Sequence, residues 1–256
     1  AARVALFQNK MTDAANYAEA VLANSSFSLA STAMDFSKNW VAGSSSPEII
    51  FAYVNNSRAS SPLNFTLYVN DTDGSWNYAP SDWCYNSLFA DDNTLSRKGD
   101  VRLKATFTSQ DANRVIKYPN GTYQLAETSD YTCTPVVISR ISEMYLIKAE
   151  ALGKTNGAAA LVEYMKKRYT TAPSEAAIKA LSDKEYQTLI LDERRREFYA
   201  EGMRWQDIKR TNRLELLETL DGRTYLMYYP IPQDEIDMAG TVAYPQNPGY
   251  AGYTGN

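Results

Sequence analysis

Residues 192–210 read DERRREFYAEGMRWQDIKR, a run that interleaves carboxylates and guanidiniums with aromatic side chains. On a helix, Glu193, Glu197 and Glu201 recur at every fourth position and share one face. Phe198, Trp205 and Ile208 supply apolar surface beside them. Two chemistries use such a row. A glycosidase needs a carboxylate pair roughly 5 to 9.5 Å apart across a sugar, and one helical turn from Glu193 to Glu197 approaches that spacing. Against it, Arg194, Arg196 and Arg204 stand at helical reach, and neighbouring guanidiniums lower carboxylate pKa values and so discourage the protonated acid. The favoured reading is structural: Glu193, Arg194, Glu197, Glu201, Arg204 and Asp207 form an ion-pair lattice that locks helices together. Gly202 marks either a helix end with positive φ or a close approach of two helices.

A second cluster carries different chemistry. NDTDGSWNYAPSDWCYN (70–86) gathers Trp76, Tyr78, Trp83 and Tyr85 among Asn, Asp and Ser in a segment without helical or strand periodicity. Sugar rings offer apolar C–H faces and hydroxyl rims, which proteins bind with aromatic planes and with amide or carboxylate side chains. Asp73, Asn77, Asp82 and Asn86 are the polar groups at hand, and Asp73 with Asp82 is a second conceivable acid pair. The alternative is that the rings pin a long loop onto the helices. A calcium loop is not met by DTDG (71–74), because Val69 occupies the first ligand position.

Composition narrows the classes. The 256 residues contain no histidine, which removes Ser-His-Asp and Cys-His nucleophiles and most common zinc and iron sites. No metal or cofactor is expected. Tyr outnumbers Phe by 19 to 8, and tyrosine suits wet, ligand-contacting surfaces. A net charge of -4 argues against nucleic acid, which asks for a basic face. No apolar stretch approaches the ~18 residues of a membrane helix. Cys84 and Cys133 are the two cysteines; one disulfide or two separate thiols both fit.

The elements that must position these groups fall in three kinds. Residues 1–24 space apolar side chains (Val4, Leu6, Phe7, then Ala14, Ala15, Ala18, Val21, Leu22) as two short amphipathic helices parted near Asn9 to Asp13, with small alanines inward as in a tetratricopeptide hairpin. Residues 31–139 are a loop-rich insert with short strands: EIIFAYV (48–54), FTLYV (65–69), VRLKATF (101–107) and VIKYPNGTYQL (115–125), the last with a hairpin turn at Asn120-Gly121. PVVISR (135–140) leads into a helix that Ser139 or Ser142 caps. Helices then dominate: 140–153 ended by Gly153, 156–169, 182–201, and 203 to about 218. Prolines after 220 mark an extended tail. The fold class is mainly α, with tetratricopeptide-like hairpins around the insert.

Four stretches, in order, resemble one family. ERRREFYAEGMRWQDIKR is similar to the ERxxExxxEGxRxxDLxR segment of the SusD/RagB nutrient-binding outer-membrane lipoproteins. RISEMYLIKAEAL (140–152) resembles that family's RxxExYLxxAEA helix, YYPIPQDEI (228–236) its PIP turn, and PQNPGY (245–250) its closing QNPGY. The resemblance implies a single domain over 1–256, divided as a helical hairpin at 1–30, an insert at 31–139, helical repeats at 140–220 and a tail at 221–256. It implies a signal peptide, a lipid-bearing cysteine and the first helices upstream, so that the sequence is a fragment or a processed form. It implies non-catalytic binding of an oligosaccharide or polysaccharide on the outer face of a bacterial outer membrane and delivery to a TonB-dependent, SusC-like transporter. The membrane is then met only through the lipid anchor. No motif of the family covers residues 70–86. A glycoside hydrolase and a helical-repeat peptide-binding adaptor are the alternatives.

Overall fold

The computed structural model describes residues 1–41, 46–54, 81–107, 115, 117, 135–217, 220–239 and 245–251. It is mainly helical with a few short strands, and it divides into two compact units, Ala1–Arg204 and Trp205–Asn256. Expectations for FTLYV, for the Asn120-Gly121 turn and for Cys133 lie outside the described residues.

In the first unit, α1 (Ala2–Phe7) and α2 (Met11–Leu22) form the expected hairpin, with the break slightly earlier, at residues 8–10. Ala2, Ala5, Leu6, Ala14 and Ala18 are buried against Ile141, Met144 and Ile147. Val4 and Phe7 point outward instead, because α1 is too short to bury both sides of its apolar run.

The scaffold's centre is α5 (Ile141–Arg168), interrupted at Gly153, where φ is +66°. Tyr145 donates from its hydroxyl to Glu163 at 3.0 Å, and the Cα of Gly157 faces the backbone of Ala149. Both pairs are centred on residue 153 or 154, so the two halves of α5 fold back as an antiparallel αα-hairpin. A Cβ on Gly157 would stand 2.2 Å from the Ala149 carbonyl oxygen; only glycine admits this approach. The hairpin packs on α2, on α6 (Glu175–Ala180) and on α7 (Asp183–Glu197), burying Leu146, Leu161, Tyr164, Met165, Ile178 and Ile190. A capping box of Ser182 and Glu185 starts α7.

Two strand pairs bring distant segments onto this scaffold. β1 (Ile49–Tyr53) runs antiparallel to β3 (Val136–Arg140), and β2 (Lys98–Asp100) antiparallel to β4 (Tyr169–Thr171), with Asp100 opposite Tyr169. VRLKATF differs from its expected strand: Val101–Thr106 is a helix, α4, because the Asp100 side chain accepts from the Arg102 N–H as an N-cap. Its buried residues Arg102, Ala105 and Thr106 follow helical spacing. The expected serine cap of α5 is also absent. The Ile141 N–H donates instead to the Glu48 carbonyl at 2.7 Å, and Ser142 Oγ accepts from Arg140 at 3.0 Å. α7 ends at Glu197, short of residue 201, as Ala200 turns at φ +62° and Gly202 at φ +76°. Space is open where a Gly202 Cβ would stand, so this glycine turns the chain and does not admit a second helix.

In the second unit, the chain leaves α8 (Arg204–Thr211) at Asn212, whose φ of +53° stops the helix well before residue 218. The tail is less extended than its prolines suggest. Pro232, with φ fixed at −53°, precedes α9 (Gln233–Met238), and Asp234 and Glu235 complement that helix's start. Among the described residues no helix is long and apolar enough to cross a membrane.

Candidate functional site

Glu197, on the last turn of α7, is fully buried. Its Oε1 accepts from Arg140 at 2.6 Å and Arg168 at 2.9 Å; its Oε2 accepts from Tyr164 at 2.7 Å, Arg168 at 2.9 Å and Arg102 at 3.3 Å. Glu193, one turn earlier, accepts from Tyr169 at 2.6 Å, Arg196 at 2.9 Å and Arg102 at 2.9 Å. Glu48, just ahead of β1, takes Arg168 at 2.7 Å and Arg140 at 3.2 Å. Glu201 takes Lys117 and Arg140, both at 2.8 Å. Three of the cations sit at element ends: Arg102 at the start of α4, Arg140 between β3 and α5, Arg168 at the end of α5. Strand pairing and the αα-hairpin therefore deliver them to one point. Phe36, on α3 (Ala33–Ser37), and Trp40 close the cluster, Trp40 lying 4.5 Å from the Lys117 ammonium and Phe36 5.0 Å from the Arg168 guanidinium.

The electrostatics follow from this crowding. Burial alone would raise Glu197, but Arg168, Arg140 and Arg102 outweigh it and hold the carboxyl well below the ordinary range. Burial against Arg102, Arg196 and Arg97 likewise leaves Glu193 lowered. Burial pushes Lys117 down to about 8 despite Glu201. Neither Glu193 nor Glu197 reaches solvent, so the pair lacks both the opening and the protonated acid that glycoside hydrolysis requires.

Sequence reasoning placed Arg194, Arg196 and Arg204 beside these carboxylates, and the structure distributes them differently. Arg196 does bind Glu193, and its Nε also donates to the Leu88 carbonyl. Arg194 lies over the Phe198 ring at 5.3 Å. Arg204 opens α8 and acts on Asp192, whose pKa burial nonetheless raises. Asp207 accepts from Arg210 at 2.9 Å within the second unit. The partners that hold Glu197 are Arg102, Arg140, Arg168 and Tyr164, all distant in sequence. Of these, Arg140 alone stood in a stretch that carried the family resemblance, RISEMYLIKAEAL.

Of the proposed sugar-contacting side chains, Trp76, Tyr78, Asp73 and Asn77 lie outside the described residues, as does the side chain of Tyr85. Trp83 and Asn86 are described, and both are exposed, as is Asp82. Trp83 leads into a π-helical turn, Cys84–Leu88. Cys84, Leu88 and Phe89 pack with Phe107 and Val115, and Phe89 and Tyr199 both meet Phe107 edge to face. Arg196 grips the Leu88 carbonyl from below, while Arg195 stacks its guanidinium 4.7 Å from the Trp83 ring. The three arginines after Glu193 thus diverge: one to a buried ring, one out to Trp83, one in to Glu193. The buried cluster holds α7, and α7 holds a tryptophan whose surface is 46% exposed. Among the described residues, no group of acidic or cysteine side chains could hold a metal ion.

This helical frame has counterparts among known proteins. Residues 89–223, half of the chain, match the sequence model of the SusD family. The chain belongs to the SusD family. A SusD-like protein of Formosa agariphila is 30% identical over 142 residues, covering 50% of this chain and 27% of that protein. The crystal structure of a SusD superfamily protein from Bacteroides thetaiotaomicron superposes with a TM-score of 0.66 at 23% identity, covering 96% of this chain and 58% of the other. A surface glycan-binding protein A from the same organism, in complex with laminarihexaose, gives 0.60 at 22% identity over 96% of this chain and 62% of that one. This SusD-family chain therefore spans less than two thirds of the length of these relatives.

Proposed function

We propose that this chain binds glycan without transforming it, on the surface around Trp83, and that it acts at the outer face of a bacterial outer membrane. The observation that carries the reading is the exposed Trp83 indole backed by Arg195, with Asn86 and Asp82 exposed beside it. An aromatic plane flanked by amide and carboxylate side chains suits a sugar ring. Family membership supports the same reading, as does a relative whose structure holds laminarihexaose. Asp73, Asn77, Trp76, Tyr78 and Tyr85 extend the proposed surface. In the whole protein, an N-terminal lipid anchor and transfer of the oligosaccharide to a SusC-like, TonB-dependent transporter complete the proposal. A catalytic role is disfavoured because Glu193 and Glu197 are consumed by internal cations.

Isothermal titration of the protein with laminarihexaose, a neutral glucan, tests this. Binding is expected, and Trp83→Ala should weaken it by about tenfold or more, the loss of one good stacking contact. Undiminished affinity in Trp83→Ala, or release of shorter sugars on incubation, overturns it.

A further inference from the structure

The second unit holds a cleft of about 390 Å³ between the end of α8 and the turns that follow. That volume falls within the range of small-ligand sites. Lys209, Asn212, Thr224, Tyr225, Tyr228 and Gly249 line it. Its walls are fixed although the chain there is irregular. A Cβ on Gly249 would stand 2.3 Å from the Tyr225 ring, so the turn at φ +89° lies directly on that ring. Tyr250 meets Tyr225 edge to face at 5.1 Å and donates to the Tyr228 carbonyl at 2.6 Å. The Gln246 amide clamps both the N–H and the carbonyl of Ile231. Such bracing sets the cleft's shape before any ligand arrives.

Charge selects the ligand. Arg210 and Arg213 are engaged by Asp207 and Glu215. Lys209 faces the Tyr228 ring at 5.6 Å and makes no ion pair with any described residue, and no carboxylate is among the described residues that line the cleft. We propose that this cleft is a second binding site, distinct from the Trp83 surface, and that it takes an anionic sugar residue such as a hexuronate. The Lys209 ammonium meets the carboxylate, Asn212 and Thr224 meet hydroxyls, and the faces of Tyr225 and Tyr228 meet the ring. The choice of a sugar rests on the glycan-binding reading; the choice of an anionic one rests on Lys209.

Titration of the whole chain with digalacturonate, followed by nuclear magnetic resonance, tests the site. Shifts are expected at Lys209, Asn212 and Tyr228, weakening as salt is raised. Lys209→Gln should bind about tenfold more weakly, and Lys209→Arg should restore binding. Asn212→Gly, which keeps the left-handed backbone but removes the amide, should also weaken it. Equal affinity for neutral cellobiose at this cleft, or no effect of Lys209→Gln, overturns the proposal. Shifts confined to Trp83 overturn it while leaving the first site standing. Lys209-dependent binding in a protein that ignores laminarihexaose sustains this site and removes the other.

Discussion

Arg168 closes on Glu197 at two points, Nε to Oε2 and Nη2 to Oε1, each at 2.9 Å, joining the end of the α5 hairpin to the last turn of α7. Both side chains are fully buried. A buried pair adds little beyond what packed apolar groups would supply, yet removing one partner strands the other in a medium that cannot solvate it. Glu197→Ala would take the shared carboxylate from Arg168, Arg140 and Arg102 at once, leaving three buried guanidiniums to divide Glu48, Glu201, Glu193 and Asp100. The expected loss is about 3 to 5 kcal/mol, read as a lower urea midpoint. Trp83→Ala should shift stability by only about 0.5 kcal/mol. An unshifted midpoint for Glu197→Ala would contradict the structural role.

The same carboxyls make the fold acid-sensitive. Glu193 and Glu197 are held below their unfolded values by Arg102, Arg140, Arg168 and Arg196 against the effect of burial. Their contribution is complete above the unfolded carboxylate value of about 4.3 and is lost as pH falls through the folded values. Urea midpoints measured downward from neutral pH should fall steeply below that point. In Glu197→Gln the slope should be shallower; an identical slope would place the acid response elsewhere.

Lys117 predicts the opposite limb. Its folded pKa of about 8 lies below its unfolded value because burial disfavours the ammonium. Between about 8 and about 10.4 the unfolded chain holds more protons at this group, so its contribution makes stability rise with pH and is lost again as pH falls through 8. Comparing midpoints of the parent and of Lys117→Met across this interval isolates the effect. A difference that does not change with pH would show that Lys117 keeps its proton throughout.

How much of this was legible follows from range. The α1–α2 hairpin could be read because inward alanines at Ala14, Ala15 and Ala18 mark local close packing, and Gly153 marked its own break. Val101–Thr106 misled, since Val, Leu, Ala and Phe at alternate positions also fit a short helix once Asp100 caps it. Local spacing made Arg194 and Arg204 look like partners of Glu197, while Arg102, Arg140 and Arg168 reach it only through strand pairing and a helical turn-back that no short window contains. On the candidate surface, composition found Trp83; its backing by Arg195 had no sequence signal, because a run of three arginines does not say which one faces outward.

Gly157→Ala tests the hairpin of α5. The added methyl would meet the Ala149 carbonyl oxygen at 2.2 Å, and forced backbone separation of this kind costs about 1 to 3 kcal/mol. Thermal unfolding should move down accordingly, whereas the same substitution at an unobstructed helical glycine stabilises by helix propensity. A higher melting temperature would rule out the close approach.

The arrangement around Glu197 also orders events during synthesis. Arg102, Arg140 and Arg168 are all translated before Glu197, so these guanidiniums are made before the anchor that gathers them. Nascent chains truncated before residue 197 carry the cations without the carboxylate that gathers them. Completion of the first unit's buried charge network is thereby tied to the arrival of one glutamate late in its stretch of polypeptide.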